Sequence, residues 1–205
     1  MPALLIATTN LGKLGELTAL LGEFADELTD LRRLGLDLAV AEDEPDYDAI
    51  ARNKARLYAS ASGLWTVADD TGLEVDALEG APGVRTARLS GDDHSRRAKL
   101  LALLAGSPRP WTARFRCSVA LASPAGEALV GRGACEGEVI PQERGRQGFG
   151  YDPIFLVGGT EETMAELPLL EKNRISHRAR AVQHLLTQLA LGALPGSPLS
   201  PRETG

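Results

Sequence analysis

The chain has 205 residues, of which 43% are hydrophobic and 24% charged, with a formal net charge of -6. This length allows one large or two-lobed globular domain. The negative charge argues against a nucleic acid polymer as partner, whereas a small phosphate ligand needs only a local basic pocket. The N-terminus lacks a signal pattern and no apolar run could span a bilayer, so we expect a cytoplasmic protein with no membrane partner.

The first predicted elements are a buried strand over residues 3–7, a polar turn over 8–13 and a helix with apolar residues at helical spacing from Leu14. Backbone N–H groups at a helix N-terminus attract anions. Lys13 adds a full charge there and Gly12 permits close approach. Residues 8–13 therefore resemble a phosphate-binding turn, although they lack the spacing of a Walker A loop. An ordinary capped turn at the start of a helix would have the same pattern.

The next predicted strand ends in two adjacent carboxylates, Asp69 and Asp70. Thr71 and Gly72 are then expected to turn the chain. Two acids at the end of a buried strand are costly without a metal ion, a proton or a cationic partner. Ligands also collect at strand C-termini in α/β sheets. The pair is a candidate for binding a hard cation and for acting as a base; the alternative is that it caps the turn.

Periodicity predicts the remaining elements. In chain order they are a helix with Lys54 after the acidic loop at 42–46, a helix over 92–105, a half-exposed strand over 112–123, its antiparallel hairpin partner up to 140, a strand over 152–157 and a helix over 176–191. We interpret residues 1–191 as a single two-lobed domain. The Pro-, Gly- and Ser-containing tail, 192–205, is predicted to be disordered. Cys117 and Cys135 lack metal-site spacing and are predicted to be buried reduced thiols.

Two further clusters suit nucleotide binding. Glycines flank Phe149 and free its ring to stack on a base, although a turn that packs its rings into the core would look the same. Ser176 suits an N-cap, which places His177 and Arg178 at the start of a helix, where cations oppose the helix dipole. A polar or anionic ligand would explain this arrangement, and so would a solvated basic helix start.

The chain contains four motifs that, in their order along the sequence, resemble those of the inosine triphosphate pyrophosphatase family. They are ATTNLGKLGE from Ala7, ADDTGLEVDAL from Ala68 with GAPGV from Gly80, GFGYDPIF from Gly148 and ISHR from Ile175. The resemblance implies an α/β fold with two lobes, in which a long twisted mixed β-sheet carries flanking helices and the active site lies in the cleft between the lobes. It also implies a homodimer that uses Mg²⁺ to hydrolyse inosine, deoxyinosine or xanthosine triphosphate to the nucleoside monophosphate and pyrophosphate.

The resemblance also implies roles for individual residues. Asp70 matches the proton acceptor and a metal ligand, Asp69 supports it, and Glu42 is the expected second metal ligand. The expected substrate-binding residues are Thr8, Thr9, Asn10, Leu11, Gly12, Lys13, Lys54 and Thr71 for the phosphates, Phe149, Gly150, Tyr151 and Asp152 near the base, and Lys172, His177 and Arg178 at the purine edge. Cationic donors in the last group match the 6-oxo group of hypoxanthine and xanthine and mismatch the 6-amino group of adenine.

The residues alone are also compatible with two functions from other classes. A phosphatase or kinase-like enzyme would release or transfer orthophosphate. A catalytically silent nucleotide-binding module would bind the triphosphate without turnover, and the presence of Lys13, Asp69 and Asp70 argues against it.

Overall fold

The computed structural model describes residues 3–40, 44, 46–85, 91–194 and 196–199. The chain divides into two compact units. Unit 1 comprises Met1–Asp70, Cys117–Gly133 and Arg178–Gly205, and unit 2 comprises Thr71–Arg116 and Ala134–His177. Each unit has its own hydrophobic core.

Seven strands and six helices are found in the described residues. In chain order they are β1 (Leu4–Ile6), α1 (Leu11–Leu21), β2 (Leu28–Asp30), α2 (Leu31–Leu34), α3 (Tyr47–Ser62), β3 (Thr66–Val75), β4 (Pro82–Gly83), α4 (Asp93–Leu104), β5 (Trp111–Ala122), β6 (Ala128–Val139), β7 (Phe155–Val157), α5 (Leu169–Ile175) and α6 (His177–Ala190). No helix in this described part of the chain is long and apolar enough to cross a membrane.

The strands form one mixed sheet in the order β2-β1-β3-β5-β6-β7, with β4 paired to β3. β1 runs parallel to β2 and β3, whereas β4 is antiparallel to β3 and β7 is antiparallel to β6. A short connection closed by a hydrogen bond from Ser123 N–H to Glu127 O joins β5 to β6 as a hairpin. The predicted fold class, a mixed sheet with flanking helices, is confirmed.

Unit 1 has hydrophobic clusters on both faces of its part of the sheet. Leu4 and Ile6 of β1 belong to the cluster that contains Leu17 of α1, and Leu5 belongs to the cluster that contains Ala55 of α3. Because successive side chains of a strand point to opposite faces, the two clusters lie on opposite sides of the sheet. β1 is therefore apolar throughout, as strands buried on both faces are.

The prediction that β3 ends in two carboxylates is wrong. β3 continues through Asp69 and Asp70 as far as Val75. Leu73 and Val75 are fully buried in the core of unit 2. Their burial explains why the chain stays extended at Thr71 despite the local turn signal that follows it.

The alternating exposure predicted for β5 holds only for its first half. Thr112 and Arg116 are exposed, but from Cys117 onwards every residue of β5 is buried. Val119 belongs to the hydrophobic cluster that contains Leu17, which we call the α1 cluster, and Ala120 to the one that contains Ala55. This half of β5 is therefore covered on both faces.

The remaining differences concern short elements, and the tail is described only in part. The segment predicted as a strand over 152–157 begins with a 3-10 turn at Asp152–Ile154, and β2, α2 and α5 were not predicted. In the tail, Leu199 packs into the α1 cluster of unit 1, and residues 195 and 200–205 lie outside the described residues. Both cysteines are buried and form no disulfide, which confirms that prediction.

Candidate active site

The turn before α1 has the geometry of a capped helix N-terminus. Asn10 is the N-cap, and its side chain accepts a hydrogen bond from the backbone N–H of Lys13 at 3.0 Å. Thr8 Oγ1 accepts one from the N–H of Asn10 at 3.2 Å. The first N–H groups of a helix lack intrahelical partners, so this capped turn also offers donors to an anion. Thr9 and Leu11 are exposed, and Gly12 is half-buried.

Asp69 lies in a buried cluster of charges within unit 1. Its Oδ2 accepts hydrogen bonds from Nε and Nη2 of Arg178 at 3.2 and 3.1 Å. Lys13 Nζ lies 3.1 Å from the same oxygen. Arg178, which is 1% exposed, also pairs with the buried carboxylate of Glu16. Two cations therefore compensate the charge of Asp69.

These carboxylates fix the charge of Arg178. Burial alone would lower the pKa of its guanidinium, but the charges of Asp69 and Glu16 outweigh burial and raise the pKa above its ordinary value. Arg178 thus stays charged. The structure groups it with the carboxylates of unit 1, whereas the resemblance implies a place at the purine edge with Lys172 and His177, which belong to unit 2.

Asp70 has a different neighbour. Lys54 Nζ of α3 lies 3.8 Å from its Oδ1, and Asp70 is 8% exposed. Adjacent side chains of β3 point to opposite faces of the sheet, which explains why Asp69 meets α1 and α6 while Asp70 meets α3. The two acids thus occupy separate environments. Thr71, the next residue of β3, is half-buried.

The donors for a metal ion are limited in the described part of the chain. No group of three or more His, Cys, Asp or Glu side chains there could hold a metal ion. Glu42, the predicted second ligand, lies outside the described residues. Mg²⁺ is commonly bound through one or two carboxylates together with substrate phosphates and water. Asp70, a hard oxygen donor, fits that pattern.

In unit 2, residues 148–152 form a tight loop that we call the Phe149 loop. Phe149 is half-buried, and its N–H donates to Asp152 Oδ2 at 2.9 Å. Gly148 has φ +76°, and a Cβ there would lie 2.1 Å from that oxygen, so this position requires glycine. Tyr151 packs its ring into the core of unit 2. The Tyr151 ring therefore lies in the core, as in the second alternative, whereas the stacking of Phe149 on a base stays a prediction.

Lys172 and His177 have defined partners in the same unit. Lys172 forms a buried ion pair with Asp152, and its Nζ lies 5.0 Å from the centroid of the Phe149 ring. The His177 ring stacks on Phe115, with centroids 4.6 Å apart and planes 18° from parallel. The structure thus brings together Phe149, Asp152 and Lys172.

Four residues of these arrangements were not singled out from the sequence. They are Glu16, Phe115, Asp93 and Arg97, and the last two bind the backbone of Gly150. Glu16 had a signal, because it closes the motif that begins at Ala7. The other three lie outside the motifs.

The model of the Ham1 family matches residues 4–188. The chain belongs to the Ham1 family. A Desulfotalea psychrophila protein named dITP/XTP pyrophosphatase is 43% identical over 188 residues, which cover 90% of this chain and 84% of that protein. A Desulforamulus reducens protein of the same name is 44% identical over 184 residues, which cover 88% of this chain and 92% of that protein. The structure of a HAM1 protein from Coxiella burnetii aligns with a TM-score of 0.81 at 36% identity, over 93% of this chain and all of that one.

This membership confirms the family predicted from the four motifs, whose residues lie within the matched region of this Ham1 chain. The residue roles carried over from the resemblance stay predictions.

Proposed function

We propose that this Ham1-family chain hydrolyses non-canonical purine nucleoside triphosphates, of inosine, deoxyinosine and xanthosine, to the nucleoside monophosphate and pyrophosphate. The observation that carries the proposal is the pair of adjacent acids with separate cationic partners in a chain 43% identical to a protein named dITP/XTP pyrophosphatase. The cytoplasmic location expected from the sequence and the homodimer implied by the resemblance belong to the same proposal.

In this proposal unit 1 supplies the chemistry. The N–H groups at the start of α1, together with Lys13 and Lys54, bind the triphosphate oxygens. Asp70 accepts the proton of the attacking water, with Lys54 beside it. Asp69, compensated by Lys13 and Arg178, holds the cations in place and stays ionised. Arg178 is thus assigned to positioning Asp69.

Asp70 is also the described residue proposed to bind Mg²⁺, with Glu42 as the second ligand. When bound, the ion would neutralise phosphate charge. The ammonium group of Lys54 beside Asp70 compensates the charge of the carboxylate while it is ionised and able to accept a proton.

Unit 2 supplies the recognition of the base in this proposal. Phe149 stacks on the purine, and Lys172 and His177 donate to the 6-oxo group. Asp152 supports this role because its ion pair keeps the Lys172 side chain beside the Phe149 ring. An adenine amino group would face these donors without an acceptor, which costs about 1–3 kcal/mol per unmatched buried group.

The test is hydrolysis of inosine, xanthosine, adenosine and guanosine triphosphates with Mg²⁺, with pyrophosphate and orthophosphate assayed separately. We expect pyrophosphate from the first two substrates and little turnover of adenosine triphosphate. Orthophosphate as the first product would favour the phosphatase-like alternative, and binding without turnover would favour the silent module. Equal rates on all four nucleotides would contradict the assigned base recognition.

A further inference from the structure

We propose that Asp93 and Arg97 of α4 are positioning residues that hold the Phe149 loop in the conformation that stacks on a purine. The inference rests on the proposed function, because it assumes that Phe149 binds the base. It assigns a role in substrate affinity to two side chains that act through the backbone of Gly150.

The start of α4 places both side chains on the same face of the helix. Asp92 is the N-cap, and its carboxylate accepts hydrogen bonds from the N–H and Oγ of Ser95 at 2.8 and 2.7 Å. Asp93 is therefore the first residue of a fixed helical turn. Arg97 follows four residues later, and residues at this spacing are neighbours on a helix surface.

The two side chains bind both polar backbone groups of Gly150. Asp93 Oδ2 accepts from the Gly150 N–H at 2.7 Å, and Arg97 Nη1 donates to the Gly150 carbonyl at 2.8 Å. Gly150 has φ +62°, a left-handed conformation that glycine adopts without strain. Since the Phe149 N–H is bonded to Asp152, three successive peptide groups around Phe149 are held by side chains.

Arg97 is itself held in place. Its Nε and Nη2 donate to the two oxygens of Glu143 at 2.8 and 3.0 Å. These hydrogen bonds from Arg97 lower the pKa of Glu143 below its ordinary value, so the pair is charged at neutral pH. A planar guanidinium can bind a carboxylate with two N–H groups and still donate a third to a carbonyl, which an ammonium group does less well. The side chain is only 12% exposed.

These hydrogen bonds hold the backbone that carries Phe149 without any contribution from a ligand. A ring that is already ordered loses less conformational entropy on binding than one on a free loop. The groups assigned to the chemistry, Asp70 and Lys54, belong to unit 1, so loosening the Phe149 loop should weaken binding of the nucleotide without changing the reacting groups. Loss of such uniform binding raises KM and leaves kcat unchanged.

The experiment compares steady-state pyrophosphate release from inosine triphosphate with Mg²⁺ by the full-length wild type and by Arg97→Ala, Asp93→Ala and Asp93→Asn. Asparagine keeps an oxygen that can accept from the Gly150 N–H, so Asp93→Asn tests rescue by a conservative change. Arg114→Ala is the matched control, because Arg114 is an ion-paired arginine of the same unit that binds Asp76 and Glu136.

We expect KM to rise about tenfold in Arg97→Ala and Asp93→Ala, the size expected for a weakened base-stacking contact, with kcat within about twofold of wild type. Asp93→Asn and Arg114→Ala should keep a KM close to wild type. If Arg97→Ala does not fold, the KM values of Asp93→Ala and Asp93→Asn decide whether the inference holds.

An unchanged KM in the alanine variants of an active enzyme would overturn this inference and leave the proposed function standing. Equal effects in Arg114→Ala would overturn it as well, because they would indicate general destabilisation. Absence of pyrophosphate release by the wild-type chain would instead overturn the proposed function, and the inference with it.

Discussion

Asp69 and Asp70 are neighbours in sequence, but their surroundings suit them to different tasks. Asp69 is enclosed by Arg178 and Lys13, whereas Lys54 Nζ lies 3.8 Å from Asp70. A carboxylate fixed by two cations is a poor proton acceptor, because its charged form is strongly favoured. The contrast between the two environments is the reason for assigning the proton-accepting role to Asp70.

The buried charges around Arg178 make a testable contribution to stability. Arg178→Ala would leave Asp69 and Glu16 without their shared guanidinium. Breaking a buried ion pair by removing one partner costs about 3–5 kcal/mol, so we expect the free energy of unfolding to fall by that amount in urea denaturation. Arg116→Ala, which removes an exposed arginine paired with Glu74, serves as control and should cost about 1 kcal/mol or less. Equal losses in the two variants would contradict the buried network.

Tyr151 gives a pH-dependent prediction. Burial raises the pKa of its hydroxyl to about 12, and among the described residues this hydroxyl has no hydrogen-bond partner. The ordinary value is about 10, so above that pH the unfolded chain loses this proton first and the folded state loses stability as the pH rises. The contribution is complete below about pH 10 and is lost through about pH 12.

Tyr151→Phe has no such proton. We expect the free energy of unfolding of the variant, relative to wild type, to be constant near neutral pH and to shift in favour of the variant above about pH 10. Urea denaturation of both proteins at a series of alkaline pH values measures this difference. A difference that does not change with pH would show that Tyr151 ionises normally in the folded chain.

At the scale of elements, the long periodic helices were predictable and the short elements were not. The predicted helix over 92–105 is found as α4, and the last helix begins within one residue of its predicted start. Their apolar spacing and N-cap residues are local signals. β2, α2 and α5 have three to seven residues, too few for a periodic pattern.

The continuation of β3 shows how distant packing overrides a local signal. Thr71 and Gly72 predict a turn, but the next apolar residue, Leu73, is fully buried in the core of unit 2 and keeps the strand extended. The same limit applies to the site. The motifs contain most of the candidate residues, whereas the contacts of Gly150 with Arg97 and Asp93 join residues 53 and 57 positions apart. A single sequence without its fold has no signal for such pairs.

For the whole molecule, the net charge of -6 is compatible with a small anionic ligand because such a ligand needs only a few cations, here Lys13 and Lys54. Lys13 and Lys54 belong to unit 1, and they pair with Asp69 and Asp70, respectively. A phosphate ligand would therefore bind cations that are already paired with these two acids. The acids set the positions of these cations in the folded chain.

The most direct test of this account is the turnover of Asp70→Asn on inosine triphosphate with Mg²⁺, with nucleotide binding measured in parallel. Asparagine keeps the size of the side chain and removes the proton acceptor, so we expect pyrophosphate release to fall by roughly 10²- to 10⁴-fold while the variant remains folded. Asp76→Asn is the matched control, because Asp76 lies directly after β3 and is paired with Arg114; its turnover should equal that of wild type. Turnover by Asp70→Asn at the wild-type rate would contradict the central claim that Asp70 accepts the proton.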